Sequence, residues 1–336
     1  MSVNPARYFL CLFLVGCIFL TGDALAVDCN QAAITLSSQA EVDTFQDVYG
    51  PGCDTILAGL IIDGASITDL SPLAGITTIS TDFSFGPSYM LRISNTSLTG
   101  LAGLESLADV YWVELMNNTS LTSIAALSNL ALIRGPILIN GNTALTNLDG
   151  LESLTALNGG ALYIENNTQL SDLSGVSNIT TINASLVINN NDALTDLSDL
   201  AGLHTVNANI SISYNDSLQN IAALSGLVGF TDALYLRFNS QLGSLGTLHN
   251  LTDLGGLVIN SNNQLANLDG LENLATIGNN TALAIYNNIA LTDLNALSNV
   301  VSAEFDVEVR DNSLLTGCSG LQTLLDSTDD ALPGPG

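Results

Sequence analysis

The chain has 336 residues, 47% hydrophobic and 11% charged, and carries a formal net charge of −27, with 32 acidic residues against five basic ones. So acidic a surface repels phosphate backbones, which excludes nucleic acid as an expected partner. The low charged fraction beside so many hydrophobic residues also excludes an acidic disordered chain and points to a packed core.

The first 26 residues have the three parts of a secretory signal: Arg7, an apolar run from Tyr8 to Leu20, and the small-residue site Ala24-Leu25-Ala26. The mature chain is then expected to begin at Val27. A rival reading stands beside it. Leu14-Val15-Gly16-Cys17 resembles a bacterial lipobox, which would acylate Cys17 and anchor the protein to a membrane. No later stretch reaches the ~18 uninterrupted apolar residues of a spanning helix. The localisation expected is secreted or cell-surface, with lipid anchoring through Cys17 as the alternative.

Behind the leader, Cys29 and Cys53 read in an exported protein as a disulfide closing the N-terminal end. Between them, Ala33 to Leu36 has the character of a short strand. Ser38-Gln-Ala-Glu41 has capping-box spacing, with a short helix expected over Val42 to Val48. This segment reads as a cap, which a solenoid requires because its first coil would otherwise expose the core.

The rest of the chain repeats one phrase. Its cleanest copy, Leu186-Val-Ile-Asn-Asn-Asn191-Asp-Ala-Leu194-Thr-Asp-Leu197-Ser-Asp-Leu200, reads L-x-I-x-x-N-x-x-L-x-x-L-x-x-L and returns every 22 to 26 residues. The Asn column comprises Asn95, Asn118, Asn142, Asn167, Asn191, Asn215, Asn239, Asn262, Asn288 and Asn312. The first coil, from Leu60, is atypical, with Asp63-Gly64 at the approach to the Asn. Ser80 to Tyr89 is an excursion expected to project as a loop.

Each copy opens with an alternating strand core and then changes period. Leu194, Leu197, Leu200, Leu203 and Val206 recur every three residues, which fits tight 3₁₀-like turns better than the 3.6 of an α-helix. Each coil is therefore a strand, a turn and an irregular return stacked on the next. About 11 coils of ~24 residues, with strands ~4.8 Å apart, give a parallel sheet on the order of 50 Å long. The Asn column has a structural role in this scheme, satisfying backbone groups where each coil leaves its strand. The division expected is a leader (1–26), a disulfide cap (27–57), a repeat solenoid (58–327) and a flexible tail (328–336), with truncation there as an alternative. Cys318 stands where earlier coils have Leu294 and Leu268, so it reads as a buried small hydrophobe.

The phrase, behind a Cys29…Cys53 cap containing Ser38-Gln-Ala-Glu-Val-Asp-Thr-Phe45, resembles the receptor L-domain repeat. That is the leucine-rich-repeat-like right-handed β-helix of growth-factor receptor ectodomains and of secreted many-repeat proteins of bacteria and fungi. The resemblance covers about residues 29 to 325. It implies a right-handed parallel β-solenoid and extracellular, non-catalytic binding through the sheet face. Two departures matter. The Cys-rich modules and membrane span of the receptors are absent, so a receptor role does not follow. The bacterial versions also imply a second Cys beyond Cys318, and this chain reaches Gly336 without one. Truncation or an unpaired thiol is the expectation.

Catalytic signatures are missing. No G-x-S-x-G, H-E-x-x-H or P-loop is present, and His204 and His249 lack Cys or His neighbours at metal-ligand spacing. No cofactor is expected, with Ca²⁺ kept open by the acidity. The column after the first ladder Leu mixes Asp69, Asp172, Asp196 and Asp293 with Asn, Ser and Gly, a composition that turn chemistry explains.

The candidate ligand face is the outward strand column: Arg92, Glu114, Leu138, Tyr163, Val187, Ser211, Tyr235, Val258, Ala284, Glu308. Within it Leu138, Tyr163, Val187, Tyr235 and Val258 are the candidates, joined by Arg237 and Tyr286 from the next column. Tyr163 and Tyr235 fall roughly 14 Å apart across three coils. Apolar patches rimmed by polar groups mark interaction sites, although strands favour Tyr and Val in any case. The partner expected is a protein or glycan at the cell surface. The alternative roles are a structural envelope or matrix protein, or a Ca²⁺-stabilised surface protein.

Overall fold

The computed structural model describes residues 29, 33–79, 90–228, 232–278 and 282–329. The leader with Cys17, the excursion from Ser80 to Tyr89 and the last residues of the tail lie outside the described residues.

The backbone is a mostly-β parallel solenoid. Twelve strands form one parallel sheet in chain order, from Ile34–Leu36 and Leu60–Asp63 to Leu283–Tyr286 and Val307–Arg310. The twelfth strand, beyond the eleven read from the repeat, is Ile34–Leu36 in the cap, with Ile34 opposite Leu60 and Leu36 opposite Ile62. The sheet thus begins inside the disulfide loop, because Ile34 and Leu36 supply the same inward alternation as the coils they cover. In mid-sheet the register places Leu162 beside Leu186 and Ile210, and Ile164 beside Ile188 and Ile212. All six side chains are at most 1% exposed.

The three-residue period has a hydrogen-bond cause. In the coil from Asn191, the N–H groups of Leu194, Leu200 and Leu203 donate to the carbonyls of Asn191, Leu197 and Leu200 at 2.8–3.1 Å, each three residues back. Every such turn returns the next Leu to the same inward stripe. Ser198–Leu200 is 3₁₀-helical, as are Ala125–Leu127 and Ser174–Val176. The return is more regular than the sequence reading allows. Two-residue strands such as Thr181–Ile182 and Thr205–Val206 pair in parallel and build three short sheets opposite the long one.

At the N-terminal end Cys29 and Cys53 are joined. Ser38 caps the helix Gln39–Asp43 in a full capping box with Glu41, and a second helix, Phe45–Tyr49, follows after a break at Thr44. Val42 and Phe45 plug the first coil and are fully buried. Gln39 ties the cap down, its Oε1 accepting from Thr68 N–H at 2.8 Å and its Nε2 donating to the Asp69 carbonyl at 2.9 Å.

Among the described residues the other end is covered on one side only. A 3₁₀ turn, Ser319–Leu321, leads into the helix Gln322–Asp329, and Leu321 and Leu324 are buried. Val307, in the last described strand of the long sheet, is 42% exposed. Cys318 is a free, exposed thiol, not the buried hydrophobe expected from its column. Among the described residues no further coil packs over it, and burial in a solenoid comes from the neighbouring coil.

Candidate functional site

Three columns of side chains leave the core at the sheet side. The first is the outward row, which parallel register brings into line as Leu138, Tyr163, Val187, Ser211, Tyr235, Val258 and Ala284. Leu138, Tyr163, Val187 and Tyr235 are half-buried and present their sides to solvent. Val258 differs: it is 4% exposed and offers almost no surface. In register its neighbours are Tyr235 and Ala284, with Arg237 and Tyr286 at diagonal positions.

In the second outward column the Arg237 guanidinium stacks 4.4 Å from the Tyr235 ring centroid, and Arg310 lies at the same distance over Tyr286. Each pairing holds a cation on an aromatic face and stiffens both side chains. Glu165 sits between amides, accepting from Asn140 and Asn189 at 3.3 Å each. At the N-terminal end of the face, Arg92 is paired with Glu114 at 2.5 Å.

The third column marks the end of each strand. The residue before each ladder Asn is left-handed, with φ of 55–59° at Asn117, Asn166, Asn190, Tyr214, Phe238, Ser261, Asn287 and Asp311 and 74° at Gly141. Asn and Asp accept this conformation more readily than other side chains. Behind it runs the buried ladder from Asn118 to Asn312. Asn191 is typical: its Nδ2 donates to the Ile164 carbonyl at 2.9 Å, and its Oδ1 accepts the Asn167 backbone N–H at 3.2 Å. The structure places Asn95 one residue outside this column, at φ 54°. Thr96 takes the ladder position instead, its hydroxyl donating to Asn118 Oδ1 at 2.8 Å. The turn after that strand is one residue shorter, so a count from Leu98 lands on the wrong residue.

Tyr214 and Phe238 were not among the residues singled out from the sequence. They occupy left-handed positions in adjacent coils, stack with ring centroids 4.6 Å apart and planes 9° from parallel, and remain 51% and 38% exposed. A bulky side chain in that conformation costs of order 1–3 kcal/mol. Aromatic stacking recovers about 0.5–1.5 kcal/mol of it. The sequence signal was there: a ring in a column otherwise held by Asn, Gly, Ser and Asp.

The acidic column resolves into turn caps. Asp69, Asp172, Asp196 and Asp293 accept the backbone N–H two residues on at 2.7–3.0 Å, and Asn147, Asn220 and Asn267 do the same at 3.2 Å. Bonds from Ser71 to Asp69, from Ser174 to Asp172 and from Ser198 to Asp196 hold these three carboxyls below the ordinary Asp value. Among the described residues no group of three or more His, Cys, Asp or Glu is placed to hold a metal ion. His204 is exposed, and His249 Nε2 lies 3.1 Å from Glu272. No helix of the described residues is long and apolar enough to cross a membrane.

These features define the class, a leucine-rich parallel β-solenoid with one open sheet face. No protein-family model and no curated protein matches the chain. Among solved structures it is similar to the functional domain of InlJ from Listeria monocytogenes, whose description includes a cysteine ladder, at 17% identity and a TM-score of 0.35. The match covers 79% of this chain and 60% of that one. The ladder in the present chain is of asparagine.

Proposed function

We propose that this chain is a secreted or cell-surface, non-catalytic binding or adhesion module of receptor L-domain-like kind, recognising a protein or glycan on its sheet face. The observation that carries the reading is the in-register row through Leu138, Tyr163, Val187 and Tyr235. Half-exposed aromatic and aliphatic side chains repeat there on a rigid frame, and Arg237 holds the Tyr235 ring in place. Rigid aromatic anchors with a polar rim suit recognition because little side-chain freedom is lost on binding. The disulfide Cys29–Cys53 fits an oxidising, extracellular setting.

The test is binding of the labelled chain to intact cells and to isolated surface protein and glycan fractions, with Tyr163→Ala and Tyr235→Ala combined. Both rings point outward, so the variant folds. Loss of about tenfold or more in affinity is expected for truncated aromatic anchors. Unchanged binding would remove the sheet row from the site.

A further inference from the structure

We infer that the chain carries a second binding site, a groove for a short neutral oligosaccharide, built on the stacked rings of Tyr214 and Phe238 at the turn beside the sheet. It deepens the reading of the chain as a binding module by naming a ligand class, and it does not use the row through Tyr163 and Tyr235.

The groove lies between the two columns that flank the buried Asn ladder. One side is the left-handed column, Tyr214, Phe238, Ser261 and Asn287; the other is the column just after the ladder, Asp216, Ser240, Asn263 and Ile289. The columns run across four coils, about 14 Å at the coil spacing. The cavity volume is about 520 Å³, within the range that holds small ligands.

Backbone conformation is the first reason to read this groove as made for something. Among the described residues only these two coils put an aromatic ring at the left-handed position, where Asn, Gly, Ser or Asp serves in the others. Strained residues held in place by a rigid surround recur at ligand clamps. The rings gain a mutual stack yet stay 51% and 38% exposed, so packing in the free protein recovers only part of the strain.

The lining then selects the ligand. Next to Phe238 the column drops to Ser261, so the stack ends at a small residue and the groove passes over it. Exposed ring surface at that point suits the C–H face of a sugar ring. Ile289, 51% exposed, adds an apolar contact at the far end. Five of the eight lining residues are polar: Asp216, Ser240, Ser261, Asn263 and Asn287. The Asp216 carboxylate and the Asn263 amide make no hydrogen bond elsewhere in the described residues, which leaves acceptors and donors for hydroxyl groups. A wholly apolar guest would desolvate these groups without partners. An anionic guest meets a groove whose one formal charge is negative, on a chain of net charge −27. A neutral, hydroxyl-rich ring with one apolar face satisfies both constraints.

The experiment uses the full chain on an array of neutral, sulfated and sialylated oligosaccharides, followed by calorimetric titration with the soluble neutral compounds retained. Neutral compounds should bind and anionic ones should not. Tyr214→Asn with Phe238→Asn should weaken binding at least about tenfold. Asn is native to this column, so the variant should keep or raise the thermal midpoint, and its loss of binding is then not unfolding. The sheet-row variant, Tyr163→Ala with Tyr235→Ala, is titrated alongside to tell the two sites apart. The proposal is overturned if no neutral oligosaccharide is retained, if sulfated or sialylated ones are preferred, or if the double Asn variant binds like the parent. Binding that is lost in the sheet-row variant and kept in the double Asn variant refutes this groove and supports the sheet face.

Discussion

Replacing Asn215 by Ala tests whether the ladder holds the coils together. The residue is fully buried. Its Nδ2 donates to the Ile188 carbonyl at 2.8 Å and to the Ser213 carbonyl at 3.1 Å, and its Oδ1 accepts the Asn191 backbone N–H at 3.0 Å. Alanine strands that N–H in a dry interior and removes a donor from two carbonyls. An orphaned buried donor costs about 1–3 kcal/mol and each lost hydrogen bond about 0.5–1.5 kcal/mol, so the expected loss is roughly 2–6 kcal/mol. The same change at Asn312, in the last coil and 9% exposed, should cost under about 1 kcal/mol because water can replace the side chain. Repeat arrays need not unfold in one step, so guanidinium unfolding should be paired with hydrogen exchange at the Asn191 amide. Equal destabilisation at 215 and 312, or unchanged protection at Asn191, would refute the ladder as the source of stability.

Other outcomes follow from neighbouring geometry. Gly175→Ala places a Cβ 1.9 Å from the Leu148 carbonyl oxygen of the previous coil, and the forced separation should cost about 1–3 kcal/mol by thermal unfolding. Cys29→Ser with Cys53→Ser opens a loop of sequence separation 24 and should cost roughly 3 kcal/mol, with exchange rising first in the cap helices. Because Asp69, Asp172 and Asp196 are held below the ordinary Asp value, their contribution is complete above the unfolded-state pKa of about 3.9 and is lost as pH falls through the lower folded values. Changing all three to Asn, which caps the same turn at Asn147 and Asn220, should leave neutral stability nearly unchanged and flatten the acid limb of a melting-temperature profile. With net charge −27, raising NaCl from 10 to 500 mM should raise the melting temperature; a fall would mean that the few ion pairs outweigh self-repulsion.

The core was legible because two chemistries repeat in it with one period. Leu194, Leu197 and Leu200 recur at the step of a turn whose hydrogen bonds close over three residues, and Asn191 recurs where a backbone N–H and a carbonyl need a side chain. Where the period slips by one residue the reading slips too, and Asn95 stands for Thr96. The paired returns were not legible, since a two-residue strand such as Thr205–Val206 is too short to show alternation. Val258 is only 4% exposed, which alternation along its own strand does not display.

The columns that stack coils tell least about recognition, because every coil needs them alike. A departure that the stacking does not require is more informative. Tyr163 and Tyr235 are weak departures, since a strand accommodates Tyr in that row at no cost. Tyr214 and Phe238 are strong ones. The fold asks for a residue tolerant of positive φ at both places, Asn190 and Ser261 fill that need in the coils on either side, and an exposed ring fills it with strain. Restoring Asn there should therefore move stability and ligand binding in opposite directions. A residue chosen for folding alone cannot do that.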